Sequence, residues 1–96
     1  MIVEIARIKV KHGMHSHIED ALRFLGDAFK RAKGCQGSEM RRSLENHDVY
    51  YVQVRWDAVE NHMIDFRSSP DGAEWTRLSR PCFDGMPVMD HTELLG

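Results

Sequence analysis

Apolar positions alternate in twos over residues 2–10, IVEIARIKV, so this run predicts a strand. Ile2, Glu4, Ala6, Ile8 and Val10 share one face; Val3, Ile5, Arg7 and Lys9 share the other. Both faces are mostly apolar near the start, which predicts a central strand covered on both sides. His12-Gly13 breaks the pattern. Beyond it, Ser16 and Glu19 read as a capping box. Ile18, Leu22, Leu25, Phe29 and Ala32 recur at helical spacing, predicting an amphipathic helix of roughly four to five turns. Lys30, Arg31 and Lys33 suit its C-terminal end, and Gly34 suits its stop. Residues 34–37, GCQG, read as a turn and residues 38–45 as a weaker strand carrying Met40 and Leu44. The strongest strand is residues 49–56, VYYVQVRW. Tyr50, Val52, Val54 and Trp56 line one of its faces; Val49, Tyr51, Gln53 and Arg55 line the other. The short link between these two strands predicts an antiparallel hairpin.

The next stretch, Trp56 to Trp75, holds two helix starts. Asp57 with Glu60 makes a capping pair, and Ser69-Pro70 is a second N-terminal signature. Helices are predicted over residues 57–67 and 70–79. On a helical wheel Val59, His62, Met63 and Phe66 form one stripe that should face a sheet. Residues 87–95 read as a last strand with Met89, His91, Glu93 and Leu95 on one face. The order β-α-β-β-α-β makes residues 1–96 a single α+β domain of ferredoxin-like arrangement, an antiparallel sheet with helices on one face. The open face should show Tyr51, Val49 and Ile2, Ile8 or Met89 to water. A patch of that kind calls for a partner, and a twofold homodimer through the open sheet face is the simplest cover.

Composition narrows the function classes. The formal charge is -2 and no basic run exists, so nothing points to nucleic acid. No long apolar run points to a membrane, and two cysteines, Cys35 and Cys82, make no disulfide framework. Cytoplasmic residence with reduced thiols is the resulting expectation. His12, His15 and His17 invite a metal reading, but they lie on a loop running into a helix start without a carboxylate or thiol cluster. Solvated histidines and no metal are expected there. No phosphate-cradling glycine loop is present, so no nucleotide cofactor is expected.

Taken together, KVKHG after the first strand, GCQGSEMRRSLE, YYVQVRWDAVENHMIDFRSSP, AEW and VMDH resemble the antibiotic biosynthesis monooxygenase family of the dimeric α/β-barrel superfamily. The middle block carries the most specific part: Trp56, Glu60, His62, Phe66, Arg67, Ser69, Pro70 and Trp75, closed by His91. The resemblance implies the ferredoxin-like fold, a dimer with a central barrel and a cavity between sheet and helices. It also implies a range of activities: cofactor-free oxygenation of polycyclic phenols, quinol oxidation or haem degradation. The haem degraders' Asn, Trp and His positions fall here at Ala6, at Asp65 or Phe66, and near Trp75, so haem is not expected.

The expected activity is cofactor-independent monooxygenation of a small phenolic or quinol-like aromatic. Such a reaction needs a dry pocket, a base and donors that hold an oxyanion. His62 is the first candidate base, with Tyr51 as a second catalytic candidate. Arg55, Trp56, Phe66, Trp75 and His91 are candidates for substrate binding. Each has a structural alternative. His62 and His91 can simply satisfy nearby polar groups, the tryptophans can be core, and Arg55 can form an ion pair across a dimer interface. Arg67 reads as a surface ion-pair partner. Two rivals stand beside the enzyme: a small-molecule-binding or stress-response module without turnover, and a protein-interaction domain using the sheet face.

Overall fold

The computed structural model describes residues 1–96. Four strands, β1 (Ile2–Lys9), β2 (Cys35–Arg42), β3 (Val49–Trp56) and β4 (Val88–Glu93), form one antiparallel sheet in the order β2-β3-β1-β4. Helices α1 (His15–Lys30) and α2 (Pro70–Ser79) cover one face. A π-helical segment, Asn61–Phe66, precedes α2, and a 3₁₀ turn, Arg80–Cys82, follows it. This is the ferredoxin-like α+β order predicted from the alternation.

The register places the chemistry. Ile2 lies opposite Trp56, and Glu4 lies between Val54 on β3 and His91 on β4. The helix-facing side of the sheet therefore reads Glu4, Ala6, Ile8, Val52, Val54 and Trp56, with Met89 and His91 at the β4 edge. Ile18, Leu22, Leu25 and Phe29 of α1 bury against this face, as their spacing predicts. Phe29 meets Trp56 edge-on at 5.6 Å and Phe66 at 5.1 Å, tying α1 to the strand end and the π segment. A bidentate pair from Arg31 to Asp71, at 2.9 and 3.1 Å, fastens α2 alongside the end of α1.

Several boundaries differ from expectation. α1 starts at His15 and Met14 makes no side-chain cap, so Ser16 sits inside the helix. β2 runs from Cys35 rather than residue 38, because Gly37 at φ +144° lets the strand bulge and stay paired with β3. A side chain there would also strike the Arg55 guanidinium. α2 begins as predicted: the Ser69 hydroxyl accepts from Gly72 N–H at 3.0 Å, and Pro70 follows.

The open face is less apolar than the sequence suggests. Ile8 and Val49 are buried by the chain itself, and Ile2 and Met89 turn toward the core. The alternation instead places Val3, Ile5, Tyr51 and Val88 outward, with Ile5 at 42%, Tyr51 at 37% and Val88 at 63% exposure. Arg7, Glu39, Arg41, Gln53, Arg55 and Asp90 interrupt them. No helix is long and apolar enough to cross a membrane.

Candidate functional site

Between the sheet and the α2 layer lies a cavity of about 560 Å³. Ala6, Ile8, Val52 and Met89 supply its strand side; Leu25 and Phe29 come from α1, and Phe66 and Trp75 from the π segment and α2. Ten of its seventeen lining residues are hydrophobic, a wall suited to an apolar ring. The polar lining is short: Glu4, His62, Arg67, Thr76 and Arg80. A second groove of about 540 Å³, between α1 and β2, is lined mainly by charged side chains and gathers no comparable set.

At one end of the cavity sits a buried polar cluster. Glu4 is 6% exposed and His62 is 8% exposed. Trp56 Nε1–H donates to Glu4 Oε1 at 2.9 Å. His62 Nδ1 meets His91 Nε2 at 2.9 Å and stands 3.5 Å from Glu4 Oε1. The His62 ring stacks on Trp56, centroids 5.7 Å apart and planes 20° from parallel. Every buried side-chain polar atom has a partner.

Burial sets the charges of this cluster. It pushes the Glu4 carboxyl above its usual value, against the Trp56 hydrogen bond and the positive charge of Arg67. It also lowers His62 to about 4, helped by Arg67 and His91, which oppose a further positive charge. The approach of His62 to Glu4 is therefore not an ion pair at neutral pH. The imidazole is neutral there, and a neutral imidazole offers one donor and one acceptor. Placing the proton on Nδ1, which faces both His91 Nε2 and the Glu4 oxygen, satisfies both contacts. The other ring nitrogen is then left as an acceptor.

Local sequence explains how these groups meet. Glu4 and His91 are cross-strand neighbours on one face, so β1 and β4 bring them together by pairing alone. His62 comes from the π segment, where Arg67 N–H donates to His62 O at 3.3 Å, five residues back. That wider turn changes the predicted stripe. Met63 turns outward at 37% exposure, while His62 and Phe66 stay buried and Arg67 joins the cavity lining. The helix expected from Asp57 is replaced at its start by Asn61, whose side-chain oxygen accepts from Ala58 N–H at 3.0 Å. Gly72 lets α2 approach closely, since a Cβ there would lie 2.2 Å from Phe66 O.

The candidate residues fall into three places. His62, Phe66 and Trp75 line the cavity. Trp56, fully buried, and His91 stand behind His62 and hold it. Tyr51 and Arg55 lie on the opposite face of the sheet, outside the cavity. Arg55 pairs there with Glu39 of the same chain at 2.8 Å. Arg67 stays exposed but makes no ion pair, contrary to expectation, and the π turn sets it in the cavity lining. Glu4 was not singled out by sequence reasoning. The available signal was a lone carboxylate on a face otherwise composed of Ile2, Ala6, Ile8 and Val10. His15 of the histidine-rich loop binds His47 O at 3.0 Å and Asp48 at 3.1 Å, and no group of three His, Cys, Asp or Glu is arranged to hold a metal ion.

Comparison with known proteins agrees with this fold. The family model for antibiotic biosynthesis monooxygenase matches residues 1–77. A Bordetella bronchiseptica crystal structure, provisionally named as such a monooxygenase, is 38% identical and superposes with a TM-score of 0.91, covering 98% of this chain and 96% of that one. A Nitrosomonas europaea structure with the same provisional name shares the fold at 12% identity and a TM-score of 0.89, with all of both chains covered. The uncharacterised Bacillus subtilis protein YczJ is 28% identical over 91 residues, 95% of this chain and 96% of its own length. The chain belongs to the antibiotic biosynthesis monooxygenase family.

Proposed function

We propose that the chain is a cofactor-independent monooxygenase of a small phenolic or quinol-like aromatic, acting in the cavity beside His62. The observation that carries this reading is a neutral, buried imidazole in an apolar cavity with a carboxyl 3.5 Å behind it. The ring of the substrate lies against Phe66 and Trp75. The free nitrogen of His62 takes the proton of a substrate hydroxyl, giving an electron-rich oxyanion. A pKa of about 4 makes His62 fully available as a base but disfavours its cation. The new phenolate in front offsets that cost, so the proton transfer and the anion stabilise each other. The anion then reduces dioxygen. A phenol plus dioxygen gives a quinone plus water, with all four electrons from the substrate and no outside reductant.

Oxygen uptake by metal-free protein over a panel of dihydroxynaphthalenes and anthrones tests this. Uptake that falls by about 10²-fold in His62→Ala supports the reading. No uptake above the uncatalysed rate across the panel ends it. The stack on Trp56 and the bond to His91 favour a second reading, in which His62 only joins helix to sheet and the cavity binds without turnover. Saturable binding of the same compounds with no product selects that one.

The open face supports a homodimer. Ile5, Tyr51 and Val88 give it exposed apolar positions, with Arg7, Asp90 and Arg41 interspersed among them. Sedimentation at micromolar concentration should show two chains; a lone chain rules the dimer out. Cytoplasmic residence fits the same reading, with Cys35 and Cys82 as free thiols.

A further inference from the structure

The chain has nine arginines, and six of them reach a carboxylate: Arg23, Arg31, Arg41, Arg42, Arg55 and Arg77. Arg7, Arg67 and Arg80 reach none. Arg7 lies on the open face of the sheet. The other two line the cavity. The surface of this protein is rich enough in acids to pair most of its guanidinium groups, so two unpaired ones at one cavity stand out. Both are solvent-exposed, so they occupy the mouth rather than the floor. The one acid in the lining, Glu4, is buried and already accepts from Trp56; it feels the Arg67 charge without pairing with it.

The two cations arrive from separate elements. The π turn delivers Arg67, and Arg80 sits where α2 passes into its 3₁₀ turn. Between mouth and floor the wall is apolar and aromatic, with Phe66 and Trp75 among its members. A ligand matched to this gradient has a flat ring inside and a negative group outside. We propose that Arg67 and Arg80 form an anion clamp and that the cavity takes an aromatic acid, ring inward and carboxylate at the mouth. Guanidinium groups suit this role because their planar donors match a carboxylate's two oxygens. The proposal rests on the cavity being the ligand site and narrows the substrate class from phenols to phenols that also carry an acid.

The clamp predicts a charge preference that a neutral probe of equal shape exposes. Calorimetry on the full chain should compare 2-naphthoate with 2-naphthamide at low salt. The acid should bind about tenfold more tightly than the amide. In Arg67→Gln with Arg80→Gln the preference should fall to within about twofold, with amide affinity unchanged. Added salt should weaken acid binding and leave amide binding alone. Arg77→Gln, which removes an equal charge from a guanidinium paired with Glu74, should keep the preference. Equal binding of both probes to the unaltered chain overturns the clamp and leaves the cavity reading standing. Preference retained in the double variant also overturns it. Binding of neither probe to folded protein removes the clamp together with the site it serves.

Discussion

Glu4 and Glu39 are the same side chain on two faces of one sheet, and they are held in opposite ways. Glu4 faces the helices, is buried, accepts from an indole and has its carboxyl pushed up by burial. Glu39 faces outward between Arg55 and Arg41, whose hydrogen bonds hold its carboxyl below the usual range. Side-chain chemistry is identical, so the difference is all environment. On the covered face each polar group has few neighbours and each contact matters. On the open face water and several charges share the work, and single contacts matter little.

The largest break in that contrast should come from Trp56. Trp56→Ala removes a fully buried ring that packs on Phe29 and His62 and leaves Glu4 without its donor. A loss of about 3–5 kcal/mol in urea unfolding is expected. Tyr51→Ala, on the open face, should lose clearly less when measured on the isolated chain. Equal losses would mean that the two faces do not differ as described.

A second effect is pH-dependent. His62 titrates near 4 when folded and near its ordinary 6.5 when unfolded. Between those values the unfolded chain binds more protons, so stability rises from pH 4 to 6.5, by on the order of 3 kcal/mol. Glu4 acts with the opposite sign. Its folded pKa lies above the ordinary 4.5, so its contribution is lost as pH rises through that raised value. His62→Gln should abolish the rise and uncover the Glu4 decline. Stability curves against pH for both proteins check this; an unchanged slope in the variant refutes the assignment.

Smaller still is the direct comparison of the carboxylates. Glu4→Ala strands the buried Trp56 N–H and should cost about 1–3 kcal/mol. Glu39→Ala leaves Arg55 and Arg41 free to meet water, so its urea midpoint should stay close to that of the unaltered chain. Arg55→Ala should be the mildest of the set, because it removes one half-buried partner and leaves Glu39 still paired with Arg41.

Sequence pattern was a good guide wherever one rule governed a segment. β3 matches its predicted bounds because its alternation is unbroken, and α2 matches because Ser69 and Pro70 mark its start chemically. The first helix was legible as a stripe, though not its cap. β2 was misplaced because Gly37, which reads as a turn residue, serves a bulge within a continuing strand. In the site, His62, Phe66 and Trp75 could be found from the stripe and the aromatic content. Glu4 and Arg67 could not be assigned, for different reasons. Burial of Glu4 depends on which face of β1 the helices cover, and both faces looked apolar. Arg67 depends on a turn that is one residue wider than an α-helix, and no propensity rule announces it.

That extra residue has an engineering consequence. An α-helix advances by about 100° per residue, so shortening the Asn61–Phe66 segment by one position would swing everything after it around the axis by roughly that amount. The imidazole upstream would keep its seat, while the guanidinium downstream would leave the doorway. The direction of every side chain after this turn is therefore set by counting rather than by chemistry, and adding or dropping a single residue re-aims them without exchanging one side chain for another.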